Sequence, residues 1–401
     1  MKILAIETSC DETALCIIDA LGNIKNSSVW ELSSQTSDFR FEVLGNALYS
    51  QVAIHAPYGG VFPNLAKREH AKNLIPLLTK ALQEANILSD SPFWELSSQK
   101  EKNEEIREIL ARETELYDQL VVFLSNYGKP EVDAIAVTYG PGLEPALWVG
   151  VNLARALSRL WNIPLIGVDH MEGHIMMSAM QAGCLADFQF PLLSLLISGG
   201  HTELVLSREW MRYEVIGATR DDAVGEAFDK VARLLGLPYP GGPEISRLAR
   251  DARMQNAESP ITFTPPMLHS KDFDFSFSGL KTEVRKFVEG RELDDQEKME
   301  IARAFEDAVA RVLVQKTLKA VEEFGVATVI VGGGVSANTY IRAELAQALG
   351  KSSGAQLLMP PADLATDNAL MIALAGYFHA VKNDFADPAT LRANGNLRLV
   401  A

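Results

Sequence analysis

Hydrophobic and polar positions alternate between two periods along the chain, and the changes of period mark its elements. Lys2–Glu7 is a short apolar run, Thr8–Thr13 a polar turn, and Ala14–Asp19 apolar again. Gly22-Asn23 then turns the chain into Ile24–Glu31, so the first thirty residues predict three strands. From Asn64 to Ala85 the apolar residues fall three and four apart (Leu74, Leu77, Leu78, Ala81, Leu82), the spacing of one helix face. Val132–Thr138 reads as a strand, Ala146–Trp161 as a helix, Leu165–Val168 as a strand and His170–Ala182 as a helix.

A second round begins at Pro191. Leu192–Ser198 and Leu204–Leu206 read as strands around Gly199-Gly200, and helices follow at Ala223–Leu235, Pro243–Met254 and Asp295–Glu323. Thr328–Val331 is a strand, Gly332-Gly333-Gly334 a turn, and Tyr340–Leu349 and Asp367–Ala380 the closing helices. The two rounds echo each other. Ala5–Leu15 can be laid over Ser194–Leu204, each giving strand, serine, three-residue turn, threonine, strand. This predicts a duplicated mixed α/β unit with a cleft between the copies. Residues 1–190 form the first lobe, 191–380 the second, and 381–401 a tail packing back near the first. The stretch 89–129, rich in Glu, Lys and Gln, reads as an inserted surface helical hairpin.

Composition narrows the class. With 401 residues, 47% hydrophobic and 22% charged, the chain has enough apolar residues for two cores. No apolar run is long enough to cross a bilayer, and the N-terminal run is too short for a signal peptide. Cys10, Cys16 and Cys184 lack the spacing of a disulfide framework or a zinc site. These features suggest a cytoplasmic protein with no membrane segment. A net charge of -15 weighs against direct binding of nucleic acid unless a local basic face or a partner supplies the attraction.

The sharpest chemical signal is His170-Met-Glu-Gly-His174 just after a strand end. Two histidines at i and i+4 share a helix face, a spacing that suits one metal ion and equally two unrelated surface histidines. Asp169 can cap that helix or orient an imidazole. A metalloprotease would place Glu directly after the first His, where this chain has Met171. Asp367 opens the last helix, either as an N-cap or as a third ligand. Ile197–Thr202, Tyr239–Pro243 and Val331–Asn338 are glycine turns that can cradle a nucleotide or simply reverse the chain; neither GxxxxGK[ST] nor GxGxxG is present. Asp11-Glu12 and Asp221-Asp222, with Glu226 and Asp229, are acids that are either solvated or catalytic.

In order, Ile6-Glu-Thr-Ser-Cys-Asp-Glu-Thr13, Tyr139-Gly-Pro-Gly142, His170–His174, Ser198-Gly-Gly-His-Thr202, Asp222–Lys230, Tyr239-Pro-Gly-Gly-Pro243, Phe275–Lys281, Gly332–Asn338 and Thr366-Asp-Asn368 resemble the universal tRNA threonylcarbamoyltransferase family. The resemblance spans the chain except about 31–57 and 89–129. It implies a duplicated actin/Hsp70/sugar-kinase-like (RNase H-like) α/β fold with two lobes and a central cleft. It also implies transfer of a threonylcarbamoyl group from threonylcarbamoyl-AMP to N6 of adenosine 37 in tRNAs reading codons that begin with adenine. By position, His170, His174 and Asp367 match metal ligands for one divalent ion, iron(II) ahead of zinc(II). Leu196, Ile197, Ser198, Gly199, Gly200, Asp229, Gly242 and Asn338 match substrate-binding positions, and Asp11 and Glu12 a catalytic acidic pair. The implied partners are the tRNA anticodon loop, an inactive paralogue of the same fold and a P-loop ATPase. A non-catalytic scaffold of that fold, expected to lack the His pair and the Asp, is the alternative, and a small-molecule kinase a more distant one.

Overall fold

The computed structural model describes residues 1–21, 40–93, 100–181, 183–255 and 261–399, and divides the chain into two compact units. The first comprises Met1–Ile54, Val61–Leu185 and Asp367–Arg398, the second His55–Gly60, Ala186–Thr366 and Leu399–Ala401.

The first unit is built on a sheet of β1 (Lys2–Glu7), β2 (Glu12–Leu21), β3 (Arg40–Ser50), β4 (Ala134–Gly140), β5 (Leu165–Asp169), β6 (Met180–Gln181) and β7 (Cys184–Leu185), in the order β5-β4-β1-β2-β3-β7-β6. β1 pairs antiparallel with β2 and parallel with β4, so it lies in the sheet's interior. That position explains its unbroken apolar run, since helices cover both faces of such a strand. The helices Pro63–Glu84 and Glu144–Trp161 bury their apolar stripes in a core with Leu4, Ile6, Leu15 and Ile17. The helix Ala369–Val381 packs on β1, β2, β4 and β5. Eleven of its thirteen residues are buried, so an all-round apolar helix at the end of the sequence is explained by that burial.

The second unit repeats the plan with β8 (Leu192–Ile197), β9 (Thr202–Glu209), β10 (Arg212–Ala218), β11 (Thr328–Gly332) and β12 (Gln356–Leu358), in the order β10-β9-β8-β11-β12. In both units an antiparallel three-strand meander is extended beyond its first strand by two parallel strands. This is the duplicated mixed α/β unit that the sequence predicts. The long helix Asp295–Phe324 carries reciprocal start signals: Asp294 accepts from the Glu297 amide and Glu297 reaches back to the Asp294 amide. It stops at Gly325, whose φ of 60° is left-handed. No helix among the described residues is long and apolar enough to cross a membrane.

Two expectations change, and a third lies outside the described residues. The division at residue 380 is moved by the segment Asp367–Arg398, which belongs to the first unit because its helix is buried on that sheet. The stretch 89–129 does contain two helices, Lys100–Ile109 and Thr114–Asn126, but they are not simply a surface feature. Ile106, Leu110, Leu116, Leu120, Phe123 and Leu124 are all buried in the first unit's core. The turn and strand expected over 22–31 lie outside the described residues.

Candidate metal centre

The helix His170–Ser178 follows β5 without a loop. Its start is set by Asp169, whose carboxylate accepts from the amides of Met171 (2.8 Å) and Glu172 (3.3 Å). All nine residues of the helix are buried, so both imidazoles are inside the first unit. One turn apart on one face, the His170 and His174 rings stand 4.8 Å apart between centroids, nearly perpendicular. Asp367 meets them with one oxygen: Oδ1 is 3.3 Å from His170 Nε2 and 3.2 Å from His174 Nε2. It does not cap the last helix; Asn368 does, accepting from the Met371 amide at 3.1 Å.

His170 is oriented from behind. Its Nδ1 lies 3.2 Å from Glu7 Oε2, so an Nδ1–H donated to Glu7 leaves Nε2 as the metal-facing atom. Glu7 is fully buried and also accepts from the Ser9 amide (2.5 Å) and the Thr138 hydroxyl (2.5 Å). Burial alone would raise Asp367, but His170 and then His174 outweigh it and hold its carboxyl well below the usual range. Burial works against a charged His170, but Asp367 and Glu7 prevail and raise its pKa well above the ordinary histidine value.

The donor set fits a divalent ion. The three candidate ligand atoms lie within 4.8 Å of one another. His174 Nε2 is buried and faces Asp367 Oδ1 at 3.2 Å. A nitrogen lone pair and a carboxylate oxygen this close repel unless a proton or a cation lies between them. Two imidazoles and a carboxylate suit iron(II) and zinc(II) alike.

The acidic pair expected from sequence stands at the start of β2, in the same unit. Asp11 is buried and Glu12 half-buried, and the Ser50 hydroxyl donates to Glu12 Oε1 at 3.2 Å. Burial, then the charges of Asp11 and Asp367, push the Glu12 carboxyl up to about 10. Cys10 beside them is raised well above the ordinary thiol by burial and the same acids, which makes it a poor nucleophile.

The remaining expected residues are in the second unit. Leu196 and Ile197 are buried at the end of β8. Ser198 Oγ accepts from the amides of Gly200 (3.3 Å) and His201 (3.0 Å), shaping the turn into β9. Gly199 and Gly200 are exposed, with open space where a Cβ would stand. Two other glycines pack the turn from behind: a Cβ on Gly225 would be 2.7 Å from Ser198 O, and one on Gly333 2.5 Å from Ile197 O. Asp229 accepts from the Gly241 amide at 2.7 Å. Gly241 is the close approach in that turn, and Gly242 faces open space. Asn338 caps the helix Thr339–Ser352 through Oδ1 and donates Nδ2 to Ser246 Oγ and Glu306 Oε1, both at 2.7 Å. Its amide is thus engaged within the protein.

The sequence model of the family described as TsaD, tRNA N6-adenosine threonylcarbamoyltransferase, matches residues 42–91 and 119–374. A tRNA N6-adenosine threonylcarbamoyltransferase of Thermosipho africanus is 38% identical over 399 residues, covering 100% of each chain. That of Chromobacterium violaceum is 41% identical over 400 residues, covering 97% of this chain and 95% of its own. This chain belongs to that family. Among solved structures, the ROK hexokinase of Thermus thermophilus aligns with a TM-score of 0.46 and 13% identity, over 95% of this chain and 100% of that one. The stretch between 91 and 119 that the threonylcarbamoyltransferase model leaves unmatched contains the helix Lys100–Ile109.

Sequence reasoning passed over Glu7 and Glu306. Glu7 is a lone charge closing an apolar strand, a usable signal. Glu306 is fully buried in the long helix, joins Arg253 at 2.6 Å and accepts from Asn338. A carboxylate within a helix that also bears many exposed acids gives no such signal.

Proposed function

We propose that this chain transfers the threonylcarbamoyl group from threonylcarbamoyl-AMP to N6 of adenosine 37 in tRNAs reading codons that begin with adenine. The carrying observation is the convergence of His170, His174 and Asp367, with Glu12 within electrostatic reach of both Asp11 and Asp367, in a chain of this family. A scaffold without chemistry gives no reason to bring two buried imidazoles onto one carboxylate oxygen.

In the reaction N6 attacks the carbamoyl carbon, the bond from that carbon to the phosphate oxygen breaks, AMP leaves, and N6 loses a proton. Adenine N6 is a weak nucleophile and AMP a good leaving group, so positioning and charge placement lower much of the barrier. His170, His174 and Asp367 would hold one divalent ion, iron(II) ahead of zinc(II), which when bound supplies Lewis-acid polarisation of the donor. Glu7 fixes the His170 ring through Nδ1. Asp11 and Glu12 are assigned to receive the N6 proton, with burial and the charges of Asp11 and Asp367 raising the Glu12 carboxyl. The exposed turn at Gly199 and Gly200, with Asp229, Gly242 and Asn338, is assigned to the AMP portion.

The partners in this reading are tRNA, an inactive paralogue of the same fold and a P-loop ATPase, and the compartment is the cytoplasm. The test is incorporation of labelled threonine into unmodified tRNA, with metal content measured on the same preparations. His174→Ala and Asp367→Asn should each lose the bound ion and slow transfer by about 100-fold or more. Wild-type transfer by either variant would refute the metal assignment.

A further inference from the structure

A second concave site lies in the first unit, among the insertion helix, the helix Glu144–Trp161 and residues 388–392. It encloses about 450 Å³ and is lined by four arginines, Arg112, Arg155, Arg159 and Arg392, against two glutamates, Glu105 and Glu108. In a chain of net charge -15, such a local excess of guanidinium groups needs a reason.

The arginines are not consumed by acids. Arg155 donates to the Pro388 carbonyl (2.6 Å), the Asn152 side-chain oxygen (3.1 Å) and the Ala389 carbonyl (3.4 Å), none of them a carboxylate. Arg159 alone is paired, with Glu105 at 2.6 Å on the exposed rim. Among the described residues Arg112 and Arg392 make no ion pair, and both are exposed. Burial and then the nearby charge of Arg392 lower Arg155, while Asp387 partly offsets them, so two like charges are held close together.

An aromatic face completes the lining. Trp148, Asn152, Arg155 and Arg159 follow one another at spacings of four, three and four along one helix, so they form a single stripe along the site. Guanidinium forks recognise phosphate oxygens, and an indole accepts a stacked base. The insertion wall, including Arg112, lies in the stretch that the family's sequence model does not match.

We propose that this arginine-lined site docks the phosphodiester backbone of tRNA, with Trp148 against an unpaired base. The proposal rests on the proposed function for the identity of the RNA. It supplies a basic contact for the polyanion on a chain whose overall charge repels it.

The test is retention of unmodified tRNA by the full chain across a salt series, with threonine transfer measured in parallel. The double variant Arg112→Glu, Arg392→Glu should bind about tenfold or more weakly at 0.1 M salt and flatten the slope of log affinity against log salt by about 2. The Arg112→Lys, Arg392→Lys pair should restore the slope, and Trp148→Ala should weaken binding with little change of slope. Thermal midpoints serve as the folding control. The proposal is overturned if the reversed pair binds with wild-type affinity and slope, if the wild-type chain retains no tRNA, or if millimolar AMP or inorganic phosphate displaces tRNA from the wild type. Normal wild-type transfer alongside unaltered binding would remove this site and leave the function standing. Absent transfer with the expected loss of binding would do the reverse.

Discussion

Glu7 and His379 show how single titratable groups tie the helix His170–Ser178 into the first unit. Glu7 has no exposure, and a carboxylate buried without donors costs several kcal/mol. Three donors meet it: the Ser9 amide, the Thr138 hydroxyl and His170 Nδ1. Burial raises its carboxyl, but the charge and hydrogen bond of His170 outweigh that and lower it overall. On the far side His379 bridges two acids, with Nε2 2.7 Å from Glu172 and Nδ1 2.8 Å from Asp384. Burial disfavours its charged form, yet these contacts, Glu172 first, raise it to about 8. Because the folded value exceeds the unfolded value near 6.5, the stabilisation is complete below about pH 6.5 and is lost as pH rises through about 8. The expected size is on the order of 1–2 kcal/mol. Asp169, pushed up to about 7 by burial and Glu172, titrates nearby, and Tyr139 faces the same acids. The measurement is therefore a difference: wild type minus His379→Gln, as thermal midpoint from pH 6 to 9. A difference independent of pH would contradict the bridge.

Among elements, legibility followed how completely each one is buried. β1 and β8 are buried along nearly their whole length and stand out as apolar runs. The helix Pro63–Glu84 is legible from its apolar stripe even though Pro76 lies within it. β10, with the sequence RYEVIGA, mixes exposed and buried positions, and β12 has three residues; neither offers a period to read. The helix Ser278–Val288 buries only Leu280 and Val284, too few for a stripe. At the centre the His pair was legible because i and i+4 are neighbours on any helix. The choice between cap and ligand for Asp367 was not, because the cap lies one residue on, at Asn368, and only the fold shows which carboxylate faces the imidazoles. The insertion was misjudged from its charged face. Leu116 and Leu120 have no exposure, so Leu116→Ala should destabilise the first unit by about 2–5 kcal/mol. A merely solvated hairpin would lose about 0.5 kcal/mol or less, and denaturant unfolding separates the two outcomes.

At the scale of the whole chain, two copies of one strand plan explain why turns at corresponding places were visible in the sequence: each leaves the first strand of its meander. The copies are not contiguous in sequence, because Asp367–Arg398 belongs to the first unit. A chain ending at Thr366 would leave β1, β2, β4 and β5 without the helix that covers them. Limited proteolysis of that shortened chain should digest the first unit while a fragment from within 186–366 survives; equal resistance of both units would show that the helix is dispensable.

The order of synthesis gives that arrangement a further meaning. A nascent chain emerging from the ribosome carries both imidazoles by residue 174, yet it must make the whole second unit before the carboxylate at 367 appears. The three side chains of the proposed centre therefore cannot meet on a fragment arrested in between, so an interrupted translation product would lack the carboxylate that the proposed ion site needs.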